Sequence, residues 1–225
     1  MVPPAPQQLL GVGVVGAWLA IVVAMALLVR HRWPQQREWS RKLVHIGTGP
    51  VILLAWGFGI GKAVALPVAL LVTLATALNH RFRLLPAVED VGRHSYGTIA
   101  YGGSIALLLA LFWPNQPLAV AAGVLVMAFG DGLAGLIGPA VASPRWRLLG
   151  QSKSLAGTAT MALATALVLG LVALLAAGHG QAAPPPLAWL GLALLATALE
   201  QVSLYGLDNL SVPVLTGVLW SQWAA

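Results

Sequence analysis

The chain contains no cysteine among its 225 residues, which excludes disulfides, thiol nucleophiles and thiolate metal sites together. Charge is also scarce: lysine, arginine, aspartate and glutamate make up 8% of the sequence, and only six residues are acidic. No polar stretch is long enough to fold as a soluble domain, and no repeat of fixed period is visible. What fills the chain is apolar residues, 59% of the total, with a mean hydropathy of +0.85. They fall in blocks about as long as a bilayer core requires, roughly 17–25 residues.

These blocks run over Leu9–Val29, Leu43–Ile60, Gly61–Leu78, Tyr96–Trp113, Pro117–Gly138, Ser154–Ala177 and Leu187–Leu207. In lipid such segments must be helical, because their backbone groups have no water to pair with. The expectation is an all-α, polytopic membrane helix bundle of seven transmembrane helices, a single integral membrane domain over 1–225. A further apolar piece, Leu210–Trp223, contains Pro213 and is short for a span, so it is an eighth short helix, a re-entrant half-helix or an interfacial one.

The twelve lysines and arginines support that count. Five lie from Arg30 to Lys42, three from Arg81 to Arg93 and three from Arg145 to Lys153, with Lys62 alone. Seven spans put eleven of the twelve on one side, which the positive-inside rule makes the cytosol, with the N-terminus outside. The pI near 10.6 follows from this topology. The bases lie in three separate loops without interleaved aromatic platforms, so the anionic inner leaflet is their partner and nucleic acid is not. The first helix lacks a basic n-region and reads as a retained span, not a signal peptide. Trp33, Trp39, Trp113, Trp146, Trp189 and Trp223 lie at span ends and read as interfacial anchors.

Against this background Asp131, between Gly130 and Gly132 inside the fifth block, stands out. A carboxylate buried in lipid costs several kcal/mol and marks a functional site. Glu200 lies at a matching depth, about two helical turns from the cytosolic end of the seventh block. Asp208 follows it, Arg41, Lys42 and His45 open the second block, and Lys153 precedes the sixth, all on the same side. Arg41 and His45 stack at helical spacing with Lys42 beside them, a face that can grip phosphate. Ser152, Lys153 and Ser154 read as a capped helix start whose free N–H groups form an anion seat. The glycines at 130, 132, 135 and 138 make a small-residue stripe that permits either close helix packing or close approach of a ligand. The Gly11-Val12-Gly13-Val14-Val15-Gly16 run matches a dinucleotide fingerprint only literally, since no strand precedes it. Buried carboxylate, bases and helix start together suit a magnesium nucleotide.

Four motifs in order carry a resemblance: Arg41-Lys42-x-x-His45, Gly130-Asp131-Gly132-x-Ala134, Lys153-Ser154-x-x-Gly157-Thr158, and Glu200 followed by Asp208-Asn209-Leu210-x-Val212-Pro213. Over about residues 38–213 the chain resembles the membrane kinases of isoprenoid alcohols, the phytol kinases most closely, within the superfamily that also holds dolichol kinases and phosphatidate cytidylyltransferases. The resemblance implies transfer of the terminal phosphate of a nucleoside triphosphate, characteristically CTP, to the hydroxyl of phytol or a related prenol, with Mg²⁺. It implies that Asp131 ligates the metal, that Ser152, Lys153 and Ser154 hold the triphosphate with Gly130 and Gly132 close by, and that Arg41, Lys42 and Arg93 neutralise charge. His45 or Glu200 orients the hydroxyl. Many relatives carry a second aspartate and an arginine where this chain has Gly135 and Pro139, so Glu200 or Asp208 must complete the metal site. The cytidylyltransferase signature, a Lys-Arg run followed by Lys-Asp and later His-Gly-Gly, is not found. Nucleotidyl transfer to a phospholipid or prenyl phosphate is one alternative function. An ion-coupled transporter is the other, since buried carboxylates also mark carriers.

Overall fold

A chain that is apolar almost throughout must close its backbone hydrogen bonds within its own segments, and this one does so in helices. The computed structural model describes residues 5–82, 84 and 95–224. In order they form α1 (Ala5–Arg32), α2 (Arg37–Thr48), α3 (Val51–Gly57), α4 (Lys62–Phe82), α5 (Gly97–Phe112), α6 (Pro117–Ala140), a hairpin of β1 (Arg145–Leu148) and β2 (Gln151–Ser154), then α7 (Leu155–Gly178), α8 (Pro186–Val202) and α9 (Asp208–Trp223). The expected all-α membrane bundle is what these elements build. Helices α1, α4, α6 and α7 are long and apolar enough to cross a membrane, and α5 and α8 are shorter apolar helices. Leu163, Leu167, Leu171 and Leu174 form an outward stripe at helical spacing along α7, the reverse of what a water-soluble helix presents.

Helix α6 is the axis of the bundle. Every residue of its first half, Pro117–Leu125, is buried, and α2, α3, α5, α7 and α9 pack around it. Helix α1 covers α2 and α3, α4 covers α5, and α8 lies in the angle between α7 and α9. The pieces meet closely where side chains vanish. A Cβ on Gly123 would stand 2.4 Å from the Pro213 carbonyl oxygen of α9 and 2.8 Å from Leu108 Cδ1. The backbone of α9 cannot give way as a side chain would, so Gly123→Ala is expected to lower stability by about 1–3 kcal/mol, read as an earlier thermal transition in detergent. Gly103→Ala is the control, because nothing lies within 4 Å of its added methyl; there the transition stays or rises.

Three boundaries differ from the sequence reading. The second block is not one helix: it breaks between Thr48 and Val51, where Pro50 has no N–H to donate and Gly49 approaches α6 so closely that a Cβ would meet Ala128 at 2.6 Å. The seventh block stops at Val202 and not Leu207, because Tyr205 and Gly206 adopt left-handed backbone, φ 54° and 84°, that no helix accommodates. Gln151-Ser152-Lys153 form a strand paired with Arg145–Leu148 through a turn at Leu149-Gly150, and α7 begins only at Leu155. The Leu210–Trp223 segment lies within the 16-residue helix Asp208–Trp223, whose Asn209, Val212, Thr216, Gly217 and Trp220 are buried against α5 and α6, so of the three readings the short helix holds and it belongs to the core of the bundle. Among the tryptophans, Trp113 is no anchor. It is buried, and its indole N–H donates to the Ile60 carbonyl at 2.8 Å, tying the end of α5 to the turn before α4.

Candidate active site

The site assembles at the end of the bundle where α2 begins and α6 ends. Residues Val126–Asp131 of α6 widen into π-helix, a local insertion common at functional sites because it frees backbone carbonyls from the regular ladder. Two carbonyls of this segment are taken by α2. His45 Nε2 lies 3.0 Å from the Met127 oxygen, and Lys42 Nζ donates to the Asp131 oxygen at 3.0 Å. Lys42 Nζ also donates to Asp131 Oδ2 at 2.6 Å, and His45 Nε2 stands 3.4 Å from the same oxygen. Asp131 is thus 8% exposed and clasped from one side by an ammonium and an imidazole. That removes most of the cost of burying it, since a charge in a low-dielectric interior must be paired and hydrogen-bonded.

A second pair lies beside the first. Lys153, on β2, forms a short ion pair with Glu200 Oε1 and donates to the Glu200 carbonyl at 3.0 Å, while Gln201 Nε2 donates to Glu200 Oε2 at 2.7 Å. Asp208 opens α9 and accepts from Ser203 Oγ at 3.4 Å and Asn209 Nδ2 at 3.3 Å. Carboxylate oxygens of Asp131, Glu200 and Asp208 lie within 4.8 Å of one another. Octahedral coordination with ligands about 2.1 Å from a magnesium ion separates them by about 3–4 Å, so a small inward motion would let the three share one hard cation. The Asn209 Oδ1 atom, buried without a hydrogen-bond partner among the described residues, adds a neutral oxygen of the same kind. Arg41, Lys42, Asp131, Gln151, Asp208 and Asn209 line a polar cavity of about 290 Å³ at this point.

The layer of carboxylates, bases and histidine expected from the sequence is therefore present, with changes in detail. Arg41 lines the cavity while paired to Glu38 Oε2 at 2.7 Å. Glu200 sits in the last turn of α8, not two turns inside it. Ser154 caps α7, accepting from the Gly157 N–H at 3.1 Å and donating to the Gly138 carbonyl at 3.2 Å, so its hydroxyl is already engaged; Ser152 points out from the hairpin, exposed. The anion seat read at a helix start is thus a strand, and its lysine reaches the site across the hairpin. The glycine stripe serves packing: Gly130 faces Met161 and Thr165 of α7, Gly132 faces Ile46, Gly135 faces the Lys42 side chain and Gly138 faces Gly157. Arg93 lies outside the described residues. Sequence reasoning missed Tyr101, whose ring stacks on His45 with centroids 4.3 Å apart, and Gln201, which orients Glu200; an isolated tyrosine or glutamine near a helix end carries no signal of its own.

Comparison with known proteins agrees with this picture. The chain is 37% identical to the phytol kinase of Synechocystis sp. over 223 residues, 99% of this chain and 94% of that protein. It is 30% identical to the probable phytol kinase 1, chloroplastic, of Glycine max, over 91% of this chain and 73% of that protein. No protein-family profile matches the chain, and no solved structure does. Apolar helices ending in a chamber of paired carboxylates and cations, in a chain this similar to a kinase, are those of a membrane-embedded phosphotransferase. Within that class, identity over nearly its whole length settles the assignment: the chain belongs to the phytol kinase family.

Proposed function

We propose that the protein phosphorylates phytol or a related isoprenoid alcohol, taking the terminal phosphate of a nucleoside triphosphate, CTP by the resemblance, at the cytosolic end of the bundle. The observation that carries this reading is the convergence of Asp131, Glu200 and Asp208 beside Lys42 and Lys153, at one end of helices with apolar outer faces. A charged donor arrives from water and a lipid acceptor from the bilayer, and this layer lies where both can reach. The excess of lysine and arginine in the loops on the same side supports the cytosolic orientation.

Magnesium held by the three carboxylates and Asn209 Oδ1 would neutralise the donor phosphates. Three cations of the site are paired with carboxylates: Lys42 with Asp131, Lys153 with Glu200 and Arg41 with Glu38. With metal and nucleotide bound, Asp131, Glu200 and Asp208 would serve the metal, and Lys42, Lys153 and Arg41 would serve the phosphate oxygens. His45, with Nε2–H donating to Met127, presents Nδ1 as the lone-pair nitrogen and accepts the hydroxyl proton. The alcohol oxygen bonds to the terminal phosphorus as the bond from that phosphorus to the bridging oxygen breaks. The products are the alkyl monophosphate and the nucleoside diphosphate. Such transfer asks the protein for position and charge neutralisation above all.

The test is incubation of the purified protein with Mg²⁺, CTP labelled at the terminal phosphate, and phytol. Labelled phytyl monophosphate is expected; label left in pyrophosphate, with cytidine attached to lipid, would instead mean nucleotidyl transfer, and no turnover of any alcohol would favour transport. Within the same assay Lys153→Ala should raise the KM for CTP by about tenfold, the value of one charge-assisted hydrogen bond, with Lys153→Arg much closer to the parent. An unchanged KM would remove Lys153 from the phosphate site.

A further inference from the structure

Below the charged layer the bundle holds a cleft of opposite character. It lies between α1, α3, α4 and α5, about 160 Å³ in volume. Among the described residues its walls are small and branched aliphatic side chains with no aromatic ring, and Thr48 is their one polar side chain. One end is at Thr48 and Val124, the other at Ile60, where Trp113 ties the end of α5 to the turn between α3 and α4. Val68 and Val72, 43% and 47% exposed, form part of a rim open to the surroundings of the helices.

The polar end leads to the active site. Thr48 is one turn beyond His45 on α2 and donates to the His45 carbonyl at 2.9 Å. The Tyr101 hydroxyl reaches Thr48 and the Val124 carbonyl at 3.4 Å, its ring stacks on His45, and His45 touches Asp131. Thr48, Tyr101 and His45 are thus a continuous polar lane from the apolar cleft to the carboxylates. A second apolar groove, about 590 Å³, lies between α1, α2 and α6 and includes Trp18, Leu43 and Leu136. It faces the other side of α2, and none of the carboxylates or bases of the site lines it.

Resting on the kinase reading above, we propose that the cleft between α1, α3, α4 and α5 is the binding site for the isoprenoid tail of the acceptor. The hydroxyl end lies at Thr48 and Tyr101 and the chain runs toward Ile60, entering sideways past Val68 and Val72. Walls of valine, isoleucine and alanine match a methyl-branched chain, gaining apolar burial without asking for a polar partner. Ala55 and Ala65 at the distal end then set how long a chain fits, and the site acts as a ruler.

The test compares phytol with its shorter homologue geraniol on the purified full-length protein. Ala65→Phe fills the distal end. Its expected effect is a rise of about tenfold or more in the KM for phytol, on the scale by which apolar pockets discriminate chain length, with geraniol turnover unchanged. Geraniol turnover also reports that the variant is folded. Met25→Trp, which fills the second groove, should treat both alcohols as the parent does. Equal treatment of the two alcohols by Ala65→Phe, or discrimination produced by Met25→Trp instead, overturns the proposal. Independently of turnover, a diazirine analogue of phytol should label peptides of α3 and α4, with phytol competing. Labelling there without phosphorylation would sink the kinase reading and leave the tail site standing; labelling that phytol does not displace would identify ordinary membrane lipid and sink the tail site.

Discussion

Asp131→Asn is expected to abolish phosphate transfer while the bundle still assembles. The substitution keeps size and shape and replaces one charged oxygen by an amide. Lys42 can still donate to the remaining side-chain oxygen and to the backbone carbonyl it already contacts at 3.0 Å. What is lost is the negative charge shared with Glu200 and Asp208, and with it the proposed hold on a divalent cation against the donor phosphates. Neutralisation of that kind is worth several kcal/mol in the transition state, so kcat/KM should fall on the order of a thousandfold, about 4 kcal/mol. The measurement is labelled-CTP turnover beside a gel-filtration profile in detergent. Turnover near that of the parent, with an unchanged profile, would exclude Asp131 as the metal ligand.

The second large effect falls on stability. Lys42 and Asp131 are paired in the interior, their side chains 5% and 12% exposed. Removing the lysine leaves the carboxylate charge buried without its ammonium, a loss of about 3–5 kcal/mol in comparable pairs. Lys42→Met should therefore lower the thermal transition sharply. The double variant Lys42→Met with Asp131→Asn should recover most of the loss, because no uncompensated charge remains. Additive losses in the double variant would mean that the two side chains contribute separately, each through its own packing. A Lys42→Met protein as stable as its parent would mean that water in the adjoining cavity already solvates the aspartate.

The sequence made the class of fold and the buried carboxylate Asp131 legible, for different reasons. Apolar blocks must be helical in lipid whatever their neighbours do, so α1, α4, α6 and α7 could be placed from hydropathy alone. Asp131 announced itself by its cost. Breaks in the blocks were harder to see, because Gly49-Pro50 and Tyr205-Gly206 act through tertiary approach and left-handed backbone, not through hydropathy. The hairpin before α7 is too short and too polar to show a strand period, and Ser154 signals a helix start equally well from either side of it. Partners such as Lys42 with Asp131 are 89 positions apart, and no local pattern encodes that pairing. The motifs singled out both residues, and the bundle made them neighbours.

The widened segment Val126–Asp131 has a consequence for how α6 serves two masters. A regular helix advances about 100° per residue, so one additional residue within a turn rotates everything beyond it relative to everything before. The first part of α6 presents Gly123 to α9, and its later part presents Asp131 and Gly135 to α2. Each half keeps its own azimuth, and the segment between them is the phase shifter. A lineage that lost one residue there would retain every motif in its primary structure and yet aim its carboxylate at the wrong neighbour.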